Sequence, residues 1–286
     1  MGLVDFILNL AAILLWLSWC SIRFDALVKT TPATLVGTVR RAEPRRLKGW
    51  QFLAALAALL LLRTFLYYRQ TAPTADWTPK LNLFFVVLPF PNDTFQSVLL
   101  YSVLSFTRIF IICYFWGLAL VIINRSIAET DPLQKMLHLH LGPVVRWPRL
   151  LQLLLPLLLI IGLWMALHPW LAHLGITSHV HSNTRLAEQG LLLGVALFLT
   201  LQYLLPLFLL VHLAASYVYW GRSPWWDFIG ATARNLLAPL RWLPLRMARF
   251  DFAPLVGVML FLFVLHWLPN LILGKWAGHH ASLWSR

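Results

Sequence analysis

Long apolar runs recur six times along this 286-residue chain, at about 3–22, 50–68, 97–123, 149–167, 189–219 and 251–273. A helix of about 18 or more mostly apolar residues is long enough to cross a hydrocarbon core about 30 Å thick. The chain is 60% hydrophobic and 12% charged, so a water-soluble globule could not cover its apolar surface with polar side chains. The sequence therefore predicts an all-α, polytopic transmembrane helical bundle of six spans.

The distribution of basic residues predicts how these spans are oriented. Most of the 23 Lys and Arg residues fall in the loops that follow the first, third and fifth runs. Basic loops stay on the cytoplasmic side of a membrane, so we expect a multi-pass protein of the bacterial cytoplasmic (inner) membrane with both termini on the periplasmic side. The net charge of +13 then indicates anionic lipid headgroups as partners and no nucleic acid.

One short pattern follows each of the odd-numbered runs. A residue suited to helix capping stands before a proline at Thr31-Pro32, Asp131-Pro132 and Ser223-Pro224, and a second proline with basic residues comes later at Pro44, Pro143 and Pro239. The same order thus occurs three times: a span, a capping residue with proline, a short segment, a proline with basic residues, and the next span. It predicts three two-span repeats, at about 1–70, 97–168 and 189–275, within a single membrane domain that covers 1–286.

The short segments between the paired prolines have the features of amphipathic helices. A side-chain oxygen at the capping position accepts an N–H of the first turn, and proline suits the first helical position because it has no N–H to leave unsatisfied. Apolar residues follow at helical spacing, at Leu133, Met136, Leu137 and Leu141 and at Trp225, Phe228, Ile229 and Leu236. We expect short helices in the cytoplasmic interface; the alternative is that these segments are basic linkers between independent spans.

The third copy of this pattern carries a family resemblance. Its elements are Arg222-Ser223-Pro224, Pro239-Leu240-Arg241 with Pro244, and Asp251 three residues before Pro254. In these motifs the chain resembles the YggT family of small bacterial and plastid membrane proteins, well over about 205–270 and less closely toward the N-terminus. The resemblance implies a tandem repeat of this unit, and a role in osmotic-stress tolerance, membrane organisation or assembly of membrane components. Members of the family usually have paired arginines where this chain has Arg241-Trp242, and a Gly-Gly pair where it has Ala248-Arg249.

Charged residues inside the apolar runs are candidates for a functional site. Arg108 is near the middle of the third run, where a charge costs about 2.5–3.5 kcal/mol on insertion scales. The candidates for its partner are Asp5, Glu188 and Asp251, and an arginine that only holds the bundle together is an equal alternative. Arg63, near the outward end of the second run, is interpreted as reaching toward the interface.

Asp251 opens the last run at the point where basic residues collect. With Pro254 one turn on, its carboxylate is placed to cap a helix N-terminus near Arg241, Arg246 and Arg249. We interpret it as structural, with a proton or ion site as the alternative. The remaining basic residues expected to face lipid or a partner are Arg40, Arg41, Arg45 and Arg46.

Histidines do not form a pattern typical of a metal or haem site. His168, His173, His179 and His181 share an outward loop region without nearby cysteine or carboxylate ligands. His212 and His266 differ in expected depth by about 12 Å, which disfavours one haem iron between them and favours a contact from each to a neighbouring helix. We therefore predict no metal and no other cofactor.

No phosphate-binding glycine loop, activated nucleophile or pair of carboxylates is recognisable in the sequence. The prediction is a non-enzymatic membrane protein that organises or supports assembly of membrane components. Its partners would be anionic lipid and other membrane proteins or a second copy of itself. A channel or transporter for ions or small osmolytes is the alternative, because repeats, Arg108 and the prolines inside spans, Pro156 and Pro206, also occur in carriers.

Overall fold

The fold is given by a computed structural model of the chain, and it is mostly helical. The structure describes residues 2–28, 49–69, 79–83, 87–91, 94–125, 132–178, 180, 182–218, 221, 223–240, 242, 246–247 and 250–271. In the N-terminal half the elements are α1 (Gly2–Val28), α2 (Gly49–Arg69), β1 (Lys80–Asn82), β2 (Val87–Pro89) and α3 (Phe95–Ile123). They are followed by α4 (Pro132–Leu141), α5 (Arg149–His173), α6 (Asn183–Leu199), α7 (Leu201–Tyr217), α8 (Pro224–Leu236), β3 (Arg246–Met247), β4 (Phe250–Asp251) and α9 (Ala253–Leu262).

Five helical stretches in the described part of the chain are long and apolar enough to cross a membrane. They are α2, α3, α5, the nearly continuous α6 and α7 over Asn183–Tyr217, and α9 with its continuation to Leu271. This confirms a multi-pass membrane protein. The first predicted span corresponds to α1, whose apolar part, Val4–Cys20, is shorter than the other five. The prediction of six spans is therefore not confirmed as it stands.

The chain divides into two compact units. Unit 1 comprises Met1–Leu81 and Pro89–Phe110, and unit 2 comprises Asn82–Leu88 and Ile111–Arg286. The division falls inside α3, so that helix contributes its first half to unit 1 and its second half to unit 2.

In unit 1, α1 and α2 pack side by side in opposite directions. Asp5, in the first turn of α1, contacts Arg63 in the last third of α2. At the other end, a Cβ built on Gly49 would lie 3.5 Å from the indole ring of Trp19. Asp5 and Trp19 are separated by fourteen residues, so the two helices stay together over about 20 Å.

In unit 2, α5 and α6 approach each other closely at two glycines spaced four residues apart. A Cβ on Gly190 would lie 2.9 Å from the Cα of Ile161, and one on Gly194 would lie 2.8 Å from Leu157 Cδ1. Residues four apart share one face of a helix, so the missing side chains form a groove that receives α5.

The helices α7, α8 and α9 form the main apolar core of unit 2. Its buried side chains are Leu205, Leu209, Ala233, Leu236 and Leu237. A Cβ on Gly257 of α9 would lie 3.0 Å from Leu209 Cδ1 and 2.8 Å from Leu237 Cδ2, so α9 also packs closely at a glycine.

The predicted fifth span is interrupted at Thr200. The Thr200 hydroxyl donates to the carbonyl of Leu197 at 2.6 Å and accepts the indole N–H of Trp116 at 3.0 Å. Threonine hydroxyls that bond a preceding carbonyl often bend helices. Both hydrogen bonds of the Thr200 side chain thus lie at the break that separates α6 from α7.

Both described proline-initiated segments are helices, as predicted, but the caps differ from expectation. Ser223 is the residue before α8 and Pro224 is its first helical residue, yet the Ser223 hydroxyl makes no cap hydrogen bond. The carbonyl of Ser223 instead accepts the N–H of Trp226 at 3.0 Å. At α9 the residue at the capping position is Phe252, and Asp251 lies one residue earlier, at the end of β4.

Candidate functional site

A cluster of charged and polar side chains lies inside unit 1 at Arg63. The Arg63 side chain is 1% exposed, and its guanidinium donates to Asp5 Oδ1 at 2.6 Å, to Asn9 Oδ1 at 2.9 Å and to Ser105 Oγ at 3.0 Å. These acceptors come from α1 and α3, while Arg63 belongs to α2. One side chain therefore joins three helices. The prediction that Arg63 reaches toward the interface is wrong, because Asp5 and its neighbours provide a partner within the bundle.

Two tyrosines complete the surroundings of the ion pair. The hydroxyls of Tyr67 and Tyr101 both donate to the Asp5 carboxylate, the latter at 3.3 Å. The Arg63 guanidinium also lies 5.5 Å and 5.3 Å from the ring centres of Tyr67 and Tyr101. Aromatic faces attract cations, and hydroxyl donors satisfy a carboxylate, so the same two rings stabilise both members of the pair.

Hydrogen bonds extend the cluster along the same helix faces. Asn9 donates to Ser105 at 3.4 Å, and Thr64 donates to Ser102 at 3.1 Å and to the carbonyl of Leu60 at 2.8 Å. All four side chains are buried. Polar groups inside a membrane are expensive unless they are bonded, and here each bond connects neighbouring helices or the helix backbone.

Arg108, the predicted intramembrane charge, lies partly buried on α3 one turn after Ser105. It is within electrostatic range of Asp5, Arg63 and Tyr101, so it belongs to the same cluster. Of its three candidate partners, Asp5 is the one that unit 1 contains. The described cluster thus combines two guanidinium groups with one carboxylate.

A second buried polar cluster lies in unit 2 at Asn124, directly after α3. Asn124 is fully buried; its amide donates to Thr232 Oγ1 at 2.7 Å, and its carbonyl oxygen accepts from the amide of Asn235 at 3.2 Å. Gln134 of α4 donates to the backbone carbonyl of Asn124 at 3.4 Å and contacts His138 at 3.0 Å. The two helices α4 and α8 are therefore tied to one residue.

This arrangement changes the interpretation of the amphipathic segments. In α8 the buried side chains are Phe228, Thr232, Ala233 and Leu236, whereas Trp225, which the apolar pattern included, is 60% exposed. In α4 the buried residue is Gln134. In α8 the apolar spacing predicted part of the packed face, at Phe228 and Leu236, but it missed the buried polar side chains Thr232 and, in α4, Gln134, which find partners at Asn124.

The positions that carry the family resemblance are partly described. Ser223 and Pro224 begin α8, Pro239 lies in a 3₁₀ turn over Ala238–Leu240, and Pro254 is the buried second residue of α9. In the strand pair, the backbone places Arg246 directly opposite Asp251. The remaining predicted positions lie outside the described residues: Arg222, Arg241, Pro244, Arg249, Arg40, Arg41, Arg45 and Arg46.

His168 and His266 each contact a neighbouring group of unit 2. His266 Nδ1 lies 2.9 Å from Gln202 Oε1 of α7, which agrees with the predicted contact to a neighbouring helix. His168 is buried against the Trp164 ring. Among the described residues no group of three or more His, Cys, Asp or Glu side chains could hold a metal ion, and His179 and His181 lie outside that part.

Two features of the site were missed in the sequence, although each has a signal there. Gly190 and Gly194 have the small-x-x-x-small spacing that is typical of close helix packing in membranes. Asp5 and Arg63 occur in consecutive apolar runs at similar distances from the outward ends, which would place them level in an antiparallel hairpin.

Comparison with known proteins gives no further assignment. No protein-family model matches the chain, and neither curated proteins nor solved structures give a match.

Proposed function

We propose that this chain is a non-enzymatic membrane protein that organises or supports the assembly of other membrane components, with osmotic-stress tolerance as the physiological setting. The observation that carries the proposal is the use of intramembrane polar groups as links between helices. Arg63 links α1, α2 and α3, and Asn124 links the end of α3 to α8 and α4. Bonds of this kind favour a rigid scaffold.

Lateral exposure of the spanning helices supports the same role. Only 11–17% of the most apolar 18-residue stretch is buried inside the protein in α2, α3, α5 and the last span. The exposed faces carry large apolar side chains, including Leu62 on α2 and Leu158 on α5. A partner helix in the bilayer would find wide surfaces for packing.

The proposed topology adds α1 to the five helical stretches that are long enough to cross a membrane. Because α1 runs antiparallel to the spanning helix α2 over about 20 Å, we assign it as a sixth span of three two-span repeats. The basic loops then face the cytoplasm, and both termini face the periplasm of a bacterial inner membrane. The resemblance to the YggT family supports this placement and the role in membrane organisation.

Site-specific photo-crosslinking in native membranes tests the proposal. A photoreactive residue at Leu62 or Leu158 should give adducts of defined protein mass, and one at Leu209, which is fully buried, should give none. Removing the chain should then lower the amount of the crosslinked partner's assembled complex. Normal assembly of that complex without the chain would contradict the proposal.

Transport of ions or small osmolytes is the second candidate, and the ion pair between Asp5 and Arg63 favours it. Ionisable residues inside membranes often mark ion or proton pathways. Purified protein in liposomes would then show solute flux that Arg63→Met and Arg108→Leu both abolish. Flux in the original chain and its loss in both variants would replace the scaffold by a carrier.

A further inference from the structure

A polar cleft of about 450 Å³ lies in unit 2 between the end of α7 and one face of α8. Its lining includes His212 and Ser216 from α7, and Trp226, Asp227, Gly230 and Arg234 from α8. Ligand sites in proteins have volumes of about 300–1,000 Å³ and a few converging polar groups. The cleft meets both criteria.

The charged groups of the cleft lie on the face of α8 that points away from the core. Phe228, Thr232 and Leu236 occupy the packed face, whereas Asp227 and Arg234 are exposed. Neither charge forms an ion pair with another residue in the described part of the chain. Because both side chains are exposed, they can contact a ligand, Asp227 as an acceptor near the start of α8 and Arg234 as a donor near its end.

Gly230 provides the floor of the cleft. A Cβ at this position would be 3.7 Å from Arg234 Nη1 and 3.8 Å from His212 Nδ1, so both nitrogen groups converge on one point. The space beside them is open because glycine has no side chain. A planar guanidinium with a nearby imidazole is suited to the oxygens of a phosphate ester.

Asp227 lies two turns before Arg234 on the same face, about 10 Å along the helix axis. A ligand lying over Gly230 would thus meet a cation at one end and a carboxylate at the other. The matching chemistry is a phosphate ester that also carries a protonated amine. A carboxylate binds a primary ammonium through N–H donors that a quaternary ammonium lacks.

The depth of the cleft relative to the end of α7 indicates which kind of molecule would supply the phosphate and the amine. His212 is five residues before the last residue of α7, a depth of about 7.5 Å from the helix end. Interfacial helices such as the one predicted for α8 lie about 5–10 Å into the boundary between headgroups and acyl chains. We propose that this cleft binds the headgroup of a phospholipid with a primary amine, of the phosphatidylethanolamine type. Arg234 and His212 hold the phosphate, and Asp227 holds the amine. A scaffold or a carrier could equally contain the cleft, so it does not depend on the function proposed above.

The test uses the full chain in nanodiscs with equal amounts of phosphatidylethanolamine, phosphatidylglycerol and phosphatidylcholine. Lipid that remains bound after mild delipidation is identified by native mass spectrometry. The original protein should retain the ethanolamine lipid, and Arg234→Gln should reduce its retention about tenfold, as expected for the loss of a hydrogen bond to a charged group. Arg149→Gln removes an exposed arginine outside the cleft and should change nothing.

Two further variants separate the parts of the site. Asp227→Asn should shift retention from the ethanolamine lipid toward phosphatidylglycerol, because the repulsive carboxylate is removed. Gly230→Leu should abolish the retention of the ethanolamine lipid by filling the floor, while the melting temperature shows that the fold is kept. Equal retention of the three lipids by the original protein, or no shift in Asp227→Asn, would overturn the assignment.

A soluble competitor distinguishes a membrane lipid from a free phosphate ester. Glycerophosphoethanolamine has the same phosphate and amine without acyl chains, and at millimolar concentration it should leave the bound lipid in place. Complete displacement would reassign the cleft to a soluble ligand and overturn the lipid proposal.

Discussion

Gly190 and Ile161 face each other so closely that a methyl group on Gly190 would lie 2.9 Å from the Ile161 Cα. The opposing atom belongs to the backbone, which cannot rotate away as a side chain can. Four residues later Gly194 has a different neighbour, the terminal methyl of Leu157. The close packing of α5 and α6 therefore depends more on the first glycine than on the second.

Substituting Gly190 with alanine should separate these helices and destabilise the protein. Overpacking of a well-packed core costs about 1–3 kcal/mol, so the melting temperature of Gly190→Ala in detergent should fall by several degrees. Gly194→Ala should lower it less, because Leu157 can change rotamer.

Gly162→Ala is the matched control on α5, since nothing lies within 4 Å of a Cβ at that position. Its melting temperature should stay the same or rise slightly, as alanine favours helix formation. An equal loss in Gly190→Ala and Gly162→Ala would show that the packing of α5 against α6 is not the cause.

The ion pair at Arg63 should behave as a unit. Arg63→Met leaves the Asp5 carboxylate without its cation, and Asp5→Leu leaves the buried guanidinium without its anion, so each should destabilise by about 3–5 kcal/mol. The double variant should be more stable than either single one, because apolar replacement of a buried pair is often neutral. Thermal unfolding of the four proteins measures this coupling, and additive losses would contradict it.

Thr232 provides a separate test of the Asn124 cluster. The Thr232 hydroxyl accepts from Asn124 at 2.7 Å and donates to the carbonyl of Phe228 at 2.8 Å. Thr232→Val keeps the shape but leaves the buried amide of Asn124 short of an acceptor, at a cost of about 1–3 kcal/mol. Thr232→Ser keeps the hydroxyl and loses one methyl, worth about 0.8 kcal/mol. The order of melting temperatures should be the original protein, then Ser, then Val.

The proposed orientation can be measured by labelling. In a chain with Cys20 and Cys113 replaced by alanine, single cysteines at Ser126, Ala42 and Trp242 should all react with an impermeant maleimide from the cytoplasmic side. A cysteine at Thr71 should react from the opposite side and serves as the control. Reaction of the first three positions from different sides would refute the topology.

The basic residues of the loops that are proposed to face the cytoplasm should also determine which lipids the protein prefers. Replacing Arg40, Arg41, Arg45, Arg46, Arg246 and Arg249 with glutamine removes attractions of about 1 kcal/mol each near an anionic surface. Retention of phosphatidylglycerol by the purified protein should then decrease strongly. Arg69→Gln in the last turn of α2 with Arg185→Gln in the first turn of α6, at the opposite membrane face, should leave it unchanged. An unaltered preference in the sixfold variant would count against anionic lipid as a partner.

Apolar length and the cap-proline pattern were sufficient to predict most of the helices. The runs around 50–68, 97–123 and 149–167 correspond to α2, α3 and α5, and Pro132 and Pro224 begin α4 and α8. Such features are local, because helix length and first-turn chemistry depend on neighbouring residues in the chain.

Partners across helices could not be read in the same way. Arg63 was interpreted as interfacial and Arg108 as the central charge, yet the buried pair forms at Arg63 with Asp5, 58 residues away. Which of two intramembrane arginines meets a carboxylate depends on how the helices are rotated and aligned. The same holds for Gln134 of α4, whose buried side chain donates to the backbone carbonyl of Asn124, a contact that the sequence pattern does not indicate.

The antiparallel contact between α1 and α2 also bears on how the protein enters the membrane during synthesis. The carboxylate that neutralises Arg63 belongs to α1, which is synthesised before α2. If α1 waits beside the translocon, α2 can partition into lipid with its counter-ion already in place. If the two helices insert as a preassembled hairpin, the Arg63 guanidinium enters the hydrocarbon already paired with Asp5.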